Sequence, residues 1–479
     1  VKELAYLALE TARLRGAEYA DARIVRQRRQ NLSAEDRRVA GIRDTDGCGL
    51  GIRVLVDGAW GFAGTSDLTN EAVQRAAADA VETARAAALA RGRKVSLVPE
   101  PPAKLEFRTP YEIDPFAVPM TEKVGLLLEI NERLLRSEGI RKADSFMTLR
   151  RDDRLFVNSD GSELKSEVVT TAAGYRATAV GNGDARSRSY TPPPLTKGYE
   201  NVRADDLLAN TDRVADEARQ HLSAPGCQPG VRDLILDPQN LALTIHESVG
   251  HATELDRALG YEESLAGRSF ATPDKLRNLM YGSPLVSFVA DNTLPGGLAT
   301  HGFDDEGVPG QRWHIVEDGL FVGYSTDREV AGVIGLERST GGSRADHWGS
   351  IPIVRIPNLS LMPGHEPLTP EELIADTDDG IYIQGRGSYS IDQMRCNFQF
   401  GGDACWEIKH GRIVGMLKNV TYQSMTTDFW GSCDGICDER YWMMDGVLNC
   451  GKGDPQQISQ MTHGAAPARF RKIRVGAAR

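Results

Sequence analysis

Apolar residues recur at helical spacing through VKELAYLALETARLRG, which predicts an amphipathic helix over 2–15. β-rich segments with glycine turns follow to about residue 66, and the alanine-rich EAVQRAAADAVETARAAALA predicts a helix over 71–90. After the Pro-rich connector VPEPPAKLEF, MTEKVGLLLEINERLL predicts a helix over 120–135. A second meander then carries a turn at Asn158–Gly161. Helix followed by meander therefore occurs twice, a hint of internal similarity. A polar helix near 203–222 ends in SAPGCQPG, whose Pro and Gly residues mark a boundary between a domain over 1–225 and another over 226–479.

Beyond that boundary, DPQNLALTIHESVGHATELDRAL reads as one helix. Asp237 is its N-cap, Pro238 its first position, and apolar residues stand at 241, 245, 249, 252, 255 and 259. From about 285 onward short strands alternate with Gly-rich turns, and few helices are expected beyond TPEELIAD at 369–376. The expected class is α+β: an N-terminal α/β domain, then a mainly β domain, a curved sheet or barrel, that carries the helix at 237–259.

That helix contains HESVGH, residues 246–251. Two metal ligands on one helix face stand four residues apart, whereas a step of five turns the second side chain roughly 140° away on a regular helix. A π-bulge would return His246 and His251 to a common face, and Gly250 would tolerate it. A break in the helix before His251 is the other way to pair them. In either case the histidines supply two zinc ligands and Glu247 a general base. The competing reading is that both are ordinary helix histidines and Glu247 a solvated charge.

A third ligand decides between these readings. Cys433, Cys437 and Cys450 cluster in DFWGSCDGICDERYWMMDGVLNCGKGDPQQ, and spacing alone does not choose among them. Cys433 and Cys437 also read as half of a structural zinc site, while Cys405, in ACWEIKH, reads as packed core.

Composition narrows the setting. With 479 residues the chain exceeds one ordinary core, and 67 acidic against 56 basic side chains give a net charge of −11, which argues against a nucleic-acid-binding surface. No apolar run reaches the length of a membrane span, and the first residues do not read as a signal peptide, so a cytoplasmic protein is expected. Seven scattered cysteines argue for reduced thiols rather than a disulfide framework.

Several motifs in order resemble one family: HESVGHATELD (246–256), FDDEGVPGQ (303–311), TGGSRADHWGSIPIVRIPN (340–358), GRGSYSIDQMRCNFQFGGDACWEI (385–408), LKNVTYQSMTTDFW (417–430) and CGKGDPQQ (450–457). Across nearly its whole length the chain is similar to the TldD family, the catalytic branch of the TldD/TldE (PmbA) metallopeptidases. The resemblance implies a zinc peptidase whose H-E-x-x-x-H spacing is the family's own form, with His246, His251 and Cys450 as ligands and Glu247 as base. It implies a dimer, either a homodimer or a heterodimer with a TldE-like subunit, around a chamber that admits unfolded peptides bound as an added strand.

Gly385, Arg386, Gly387 and Ser388 are the expected substrate contacts, the other reading being a Gly-rich hairpin turn. Asp304, Asp305 and Glu306 read either as a metal-supporting cluster or as a solvated turn. Two other functions remain open: a non-catalytic interaction subunit, in keeping with the family's label as a modulator of DNA gyrase, and a zinc amidohydrolase of small amides.

Overall fold

The computed structural model describes residues 2–476 apart from Arg91, Arg93 and Asn182. Among these residues no helix is long and apolar enough to cross a membrane.

The N-terminal half is one seven-stranded sheet built from two similar three-stranded units, with a seventh strand, Lys104–Arg108, added in parallel to Glu163–Gly181. The first runs helix Lys2–Leu14, long hairpin Tyr19–Glu35 and Arg38–Val56, strand Ala59–Thr65, helix Asn70–Ala90. The second runs helix Met120–Arg136, hairpin Ile140–Asn158 and Glu163–Gly181, strand Asp184–Tyr190, then helices Ala204–Ala209 and Thr211–Ser223. Where the sequence pattern predicts one helix near 203–222, two meet at Asn210. The hairpin turn falls where Asn158–Gly161 predicts it, with Gly161 at φ 103°.

The first strands of the two units pair antiparallel at the centre of the sheet, with Arg28 opposite Arg151, and the remaining strands extend outward in mirrored order. A two-fold axis through that arginine pair relates the units. The doubled helix-and-meander pattern in the sequence thus corresponds to a doubled structure.

Alternation along these strands separates two faces. Ala20, Ala22, Ile24, Leu50, Ile52 and Val54 pack under the first unit's helices, while Asp21, Arg23 and Arg53 point the opposite way, toward the C-terminal half. On that opposite side Trp348 lies against Gly49, Gly51 and Gly64, and a Cβ at Gly49 would meet its indole at 2.3 Å.

The C-terminal half is built on a nine-stranded sheet that curls into a half-barrel. Its middle strand, Gly230–Leu236, pairs in parallel with Asp379–Gln384 and antiparallel with Ala468–Val475. The chain leaves the end of this strand at Asp237 and enters the helix that carries HESVGH. A two-stranded hairpin, Met443–Lys452 with Gln457–Ala465, packs against that helix. One core joins Leu241, Ile245 and Val249 of the helix to Phe288, Phe429, Trp430 and Phe470.

Candidate metal centre

Asp237 ends the middle strand and caps the helix, accepting hydrogen bonds from Asn240 N (2.7 Å) and Gly385 N (3.0 Å). Pro238–Ile245 is α-helical and buried apart from Gln239, and Asn240 ties it to the carbonyls of Gly385 and Gly401. The winding then changes. His246–Gly250 is a π-turn in which His251 N–H donates to His246 O, five residues back. A turn of this width brings the two rings to one side, with centroids 4.8 Å apart.

The distortion thus spans the motif itself, with Gly250 as its last residue. A Cβ at Gly250 would meet Ile356 Cδ1 at 2.9 Å, so close packing also favours glycine there. Tyr281 hydroxyl donates to Ser248 O (2.5 Å) and Thr253 hydroxyl to Val249 O (2.8 Å), which satisfies carbonyls within the widened turn.

The single helix expected over 237–259 does not continue. His251–Thr253 tightens to a 3-10 turn, Glu254 is extended (ψ 116°), and Leu255 N donates to Ser325 O instead of a helical carbonyl. The break has a use, because it swings the Glu254 carboxylate back onto His251 Nδ1 at 2.8 Å.

Cys450 arrives from the packed hairpin, where a bulge between Val447 and Cys450 shifts the register. Its Sγ lies 3.5 Å from His251 Nε2, and one donor atom from each of His246, His251 and Cys450 falls within 4.8 Å of the others. All three residues are buried.

The hydrogen bonds behind these donors decide what they can do. His463 Nδ1 lies 2.9 Å from the Leu359 carbonyl, which can only accept, so that nitrogen carries the proton. Burial pushes the His463 pKa down to about 3, so the ring is neutral and its Nε2 accepts from His246 Nδ1–H at 2.9 Å. His246 Nε2 is left with its lone pair. Glu254 does the same for His251, and Lys452 Nζ braces Glu254 (3.2 Å), Asp256 (2.8 Å) and the Val354 carbonyl (2.8 Å). Burial holds both ligand-candidate histidines well below the ordinary imidazole pKa, and therefore neutral.

Burial also pushes the Cys450 thiol up to about 11, with Arg355 opposing it, and coordination to a cation would deprotonate it. Two imidazole lone pairs and a thiol converging on one point, each held from behind, fit a divalent ion of zinc's borderline softness. Three protein ligands leave a fourth position open.

Glu247 is 7% exposed and paired with Arg395. Burial raises its carboxyl above the ordinary value, and Arg395 opposes the rise. Sequence reading did not single out His463, Glu254, Lys452 or Arg395. Lys452 and Glu254 fall inside quoted motifs, two positions after Cys450 and three after His251, but His463 stands in a strand with no motif around it.

Other expected site residues lie elsewhere. Gly385 adopts φ 67°, Arg386 pairs with Asp445 and donates to Gly446 O (2.9 Å), and Gly387 lies against the Gly401–Gly402 backbone. This stretch is no hairpin turn, because the strands it joins, Asp379–Gln384 and Tyr389–Ile391, stand far apart in the sheet order. Gly385 and Arg386 wall a cleft of about 660 Å³ between the two halves, together with Asp445, Asn449, Asp144 and Arg176.

Asp304, Asp305 and Glu306 form no solvated turn, being 3%, 6% and 1% exposed. Asp304 accepts from the backbone N–H of Glu306, Val308 and Ser343. Asp305 binds Arg154 and Ala345 N, and Glu306 binds Arg53 and Arg328 N. Cys433 and Cys437 are core residues, and among the described residues neither belongs to a group of three metal donors. Cys405 is core as expected, and all seven thiols are free.

Comparison with known proteins adds three family matches in chain order: PmbA/TldA metallopeptidase domain 1 over residues 20–87, the central domain over 113–223, and the C-terminal domain over 229–477. A metalloprotease of Methanocaldococcus jannaschii is 26% identical over 88% of this chain and 89% of its own length. A zinc metalloprotease TldD homolog of Saccharolobus solfataricus is 25% identical over 57% of each chain. Among solved structures, TldE from Thermococcus kodakarensis superposes with a TM-score of 0.75 at 17% identity, covering 99% of this chain and 100% of that one. A Thermotoga maritima protein described as a candidate modulator of a DNA gyrase gives 0.79 at 18%, with the same coverage.

Proposed function

The chain belongs to the PmbA/TldD metallopeptidase family, and from that premise we propose that it is a zinc-dependent peptidase of unfolded or small peptides, with His246, His251 and Cys450 as ligands. The observation that carries this reading is the convergence of three donor atoms within 4.8 Å beside a buried carboxylate. A bound zinc ion would supply Lewis acidity, lowering the pKa of water and polarising a carbonyl. Glu247 takes the proton of the attacking water as the C–O bond forms, and passes it to the leaving nitrogen as the C–N bond then breaks. Glu254 and His463 hold the two imidazoles in the tautomers that present Nε2.

Gly385, Arg386, Gly387 and Ser388 would contact the substrate backbone. They lead into Tyr389–Ile391, a short exposed strand at one edge of the nine-stranded sheet, where an extended peptide can add by main-chain hydrogen bonds. The working assembly is a dimer enclosing the site, with a second copy or a TldE-like chain. The likeness in fold to TldE supports this reading.

The test is metal analysis with digestion of an unfolded peptide. One zinc per chain and chelator-sensitive cleavage are expected, with Glu247→Ala keeping the zinc and losing cleavage. A Glu247→Ala protein as active as the parent would overturn the mechanism. A metal-free parent without cleavage would favour an interaction subunit.

A further inference from the structure

Four cationic side chains bear on His251: Arg395, Arg257, Arg355 and Lys452. Three of them are sealed, each 1% exposed at the side chain or residue level, and apart from Arg355 Nε their donors are engaged elsewhere. Arg257 binds Glu262 and the carbonyls of Arg268 and Gln393; Arg355 binds the carbonyls of Cys450 and Gln457; Lys452 binds Glu254, Asp256 and the Val354 carbonyl. Arg395 differs. Its side chain is 15% exposed, one Nη meets Glu247, and Nε–H has no hydrogen-bond partner among the described residues.

The backbone at Arg395 is also held in a costly conformation. Its φ is 61°, a left-handed value that a long side chain rarely adopts. Asp392 fixes it by accepting from Cys396 N (2.9 Å) and Asn397 N (3.0 Å) through its side chain and from Arg395 N through its carbonyl, while Thr426 hydroxyl donates to Arg395 O (2.8 Å). Backbone strain of this kind persists where surrounding contacts over-determine it, and it concentrates at functional positions.

We propose that Arg395 is a catalytic residue, donating to the oxygen of the scissile carbonyl as negative charge develops there. This rests on the peptidase reading above. As the water oxygen bonds to the carbonyl carbon and Glu247 takes a water proton, the C=O electron pair moves onto oxygen, where the guanidinium receives it. When the pair returns, the C–N bond breaks and the proton passes from Glu247 to the departing nitrogen. Arg395 stands one hydrogen bond from the carboxylate that handles that proton, and a planar fork can keep this bond while offering another N–H to the oxygen. A residue that served only as the counter-ion of Glu247 would not need the exposure, which the sealed Arg257, Arg355 and Lys452 lack.

The test compares parent, Arg395→Ala and Glu247→Gln on an internally quenched unstructured peptide, with zinc content measured on each. Arg395→Ala should keep its zinc and lose about 100-fold in kcat, with KM shifted by less than about threefold. Added guanidinium ion should restore part of the loss. A tetrahedral phosphinic peptide should bind Arg395→Ala about 100-fold more weakly by calorimetry, and the product peptide nearly as well as it binds the parent.

Unchanged or increased kcat, a loss confined to KM, or loss of zinc without guanidinium rescue would each overturn the proposal. If the parent cleaves, Glu247→Gln does not, and Arg395→Ala matches the parent, this inference alone fails. A zinc-loaded parent that does not cleave removes it together with the peptidase reading.

Discussion

Two buried polar clusters lie in the C-terminal half, and they differ in what their lone pairs do. Around Asp304, Asp305 and Glu306 the carboxylate oxygens meet backbone N–H groups and arginines, so the charge is neutralised within the chain. Around His246, His251 and Cys450 the supporting bonds all come from behind, to Nδ1 of each ring and to the Cys450 carbonyl, and the donor atoms face one another. The first arrangement is complete without a ligand. The second turns its donor atoms toward a common point, as the proposed zinc site requires. Buried polar groups in native folds find partners, so a cluster of inward-facing donors is the more informative of the two.

The sharpest way to break this contrast is to remove a donor. Cys450→Ser should weaken zinc binding roughly 10³-fold, the scale of one ligand among three, while Cys437→Ser should leave it unchanged. Competition with a chelating dye measures both, and the reverse result would move the third ligand upstream. In the saturated cluster the effect should fall on stability instead. Asp305→Ala strands the half-buried Arg154 and the buried Arg23, and about 3–5 kcal/mol should be lost in urea unfolding, with zinc stoichiometry intact in the folded protein.

His463→Ala probes the supporting bonds and should weaken zinc binding by about 10–100-fold. His463 also predicts a pH dependence for the metal-free chain. Its folded pKa, about 3, lies below the ordinary imidazole value of 6.5, so the unfolded chain binds more protons between those limits. Stability from this group is present above pH 6.5 and falls by about 1 kcal/mol per unit on acidification, a slope that His463→Gln should flatten. Asp237 and Asp256, each raised to about 6 by burial, have the opposite sign between 3.8 and 6. The smallest effect belongs to Gly250→Ala, about 1 kcal/mol from contact with Ile356, measured as a shift in unfolding midpoint.

Local patterns carried much of this to the sequence. Periodicity locates Asn70–Ala90 and Met120–Arg136 to within a residue, because alanine and leucine faces at helical spacing need no tertiary context. The five-residue step between the histidines carries the π-turn, since a regular helix would part them. Periodicity fails at Glu254: the apolar positions 252, 255 and 259 are buried or packed against the core on a broken chain, as a helix would also have them. The acidic run at 304–306 reads as solvated because charge pattern does not report burial, and its arginine partners lie as many as 253 residues away. His463 reaches the site through tertiary packing of a strand without a motif signal of its own, while Arg395 lies inside the quoted motif at 385–408, whose pattern does not tell that it meets Glu247.

The two-fold axis through Arg28 and Arg151 has one more consequence. In the first unit Asp21 stands across from Arg53, and the pair is capped by Glu306 from the acidic loop. The matching positions in the second unit are Asp144 across from Arg176, and these wall the open cleft beside Gly385 and Arg386. A duplicated surface has been stoppered on one side by the chain's own loop and left bare on the other. The doorway beside the proposed substrate stretch and the covered ion pair under the acidic loop are thus equivalent places on one repeated scaffold.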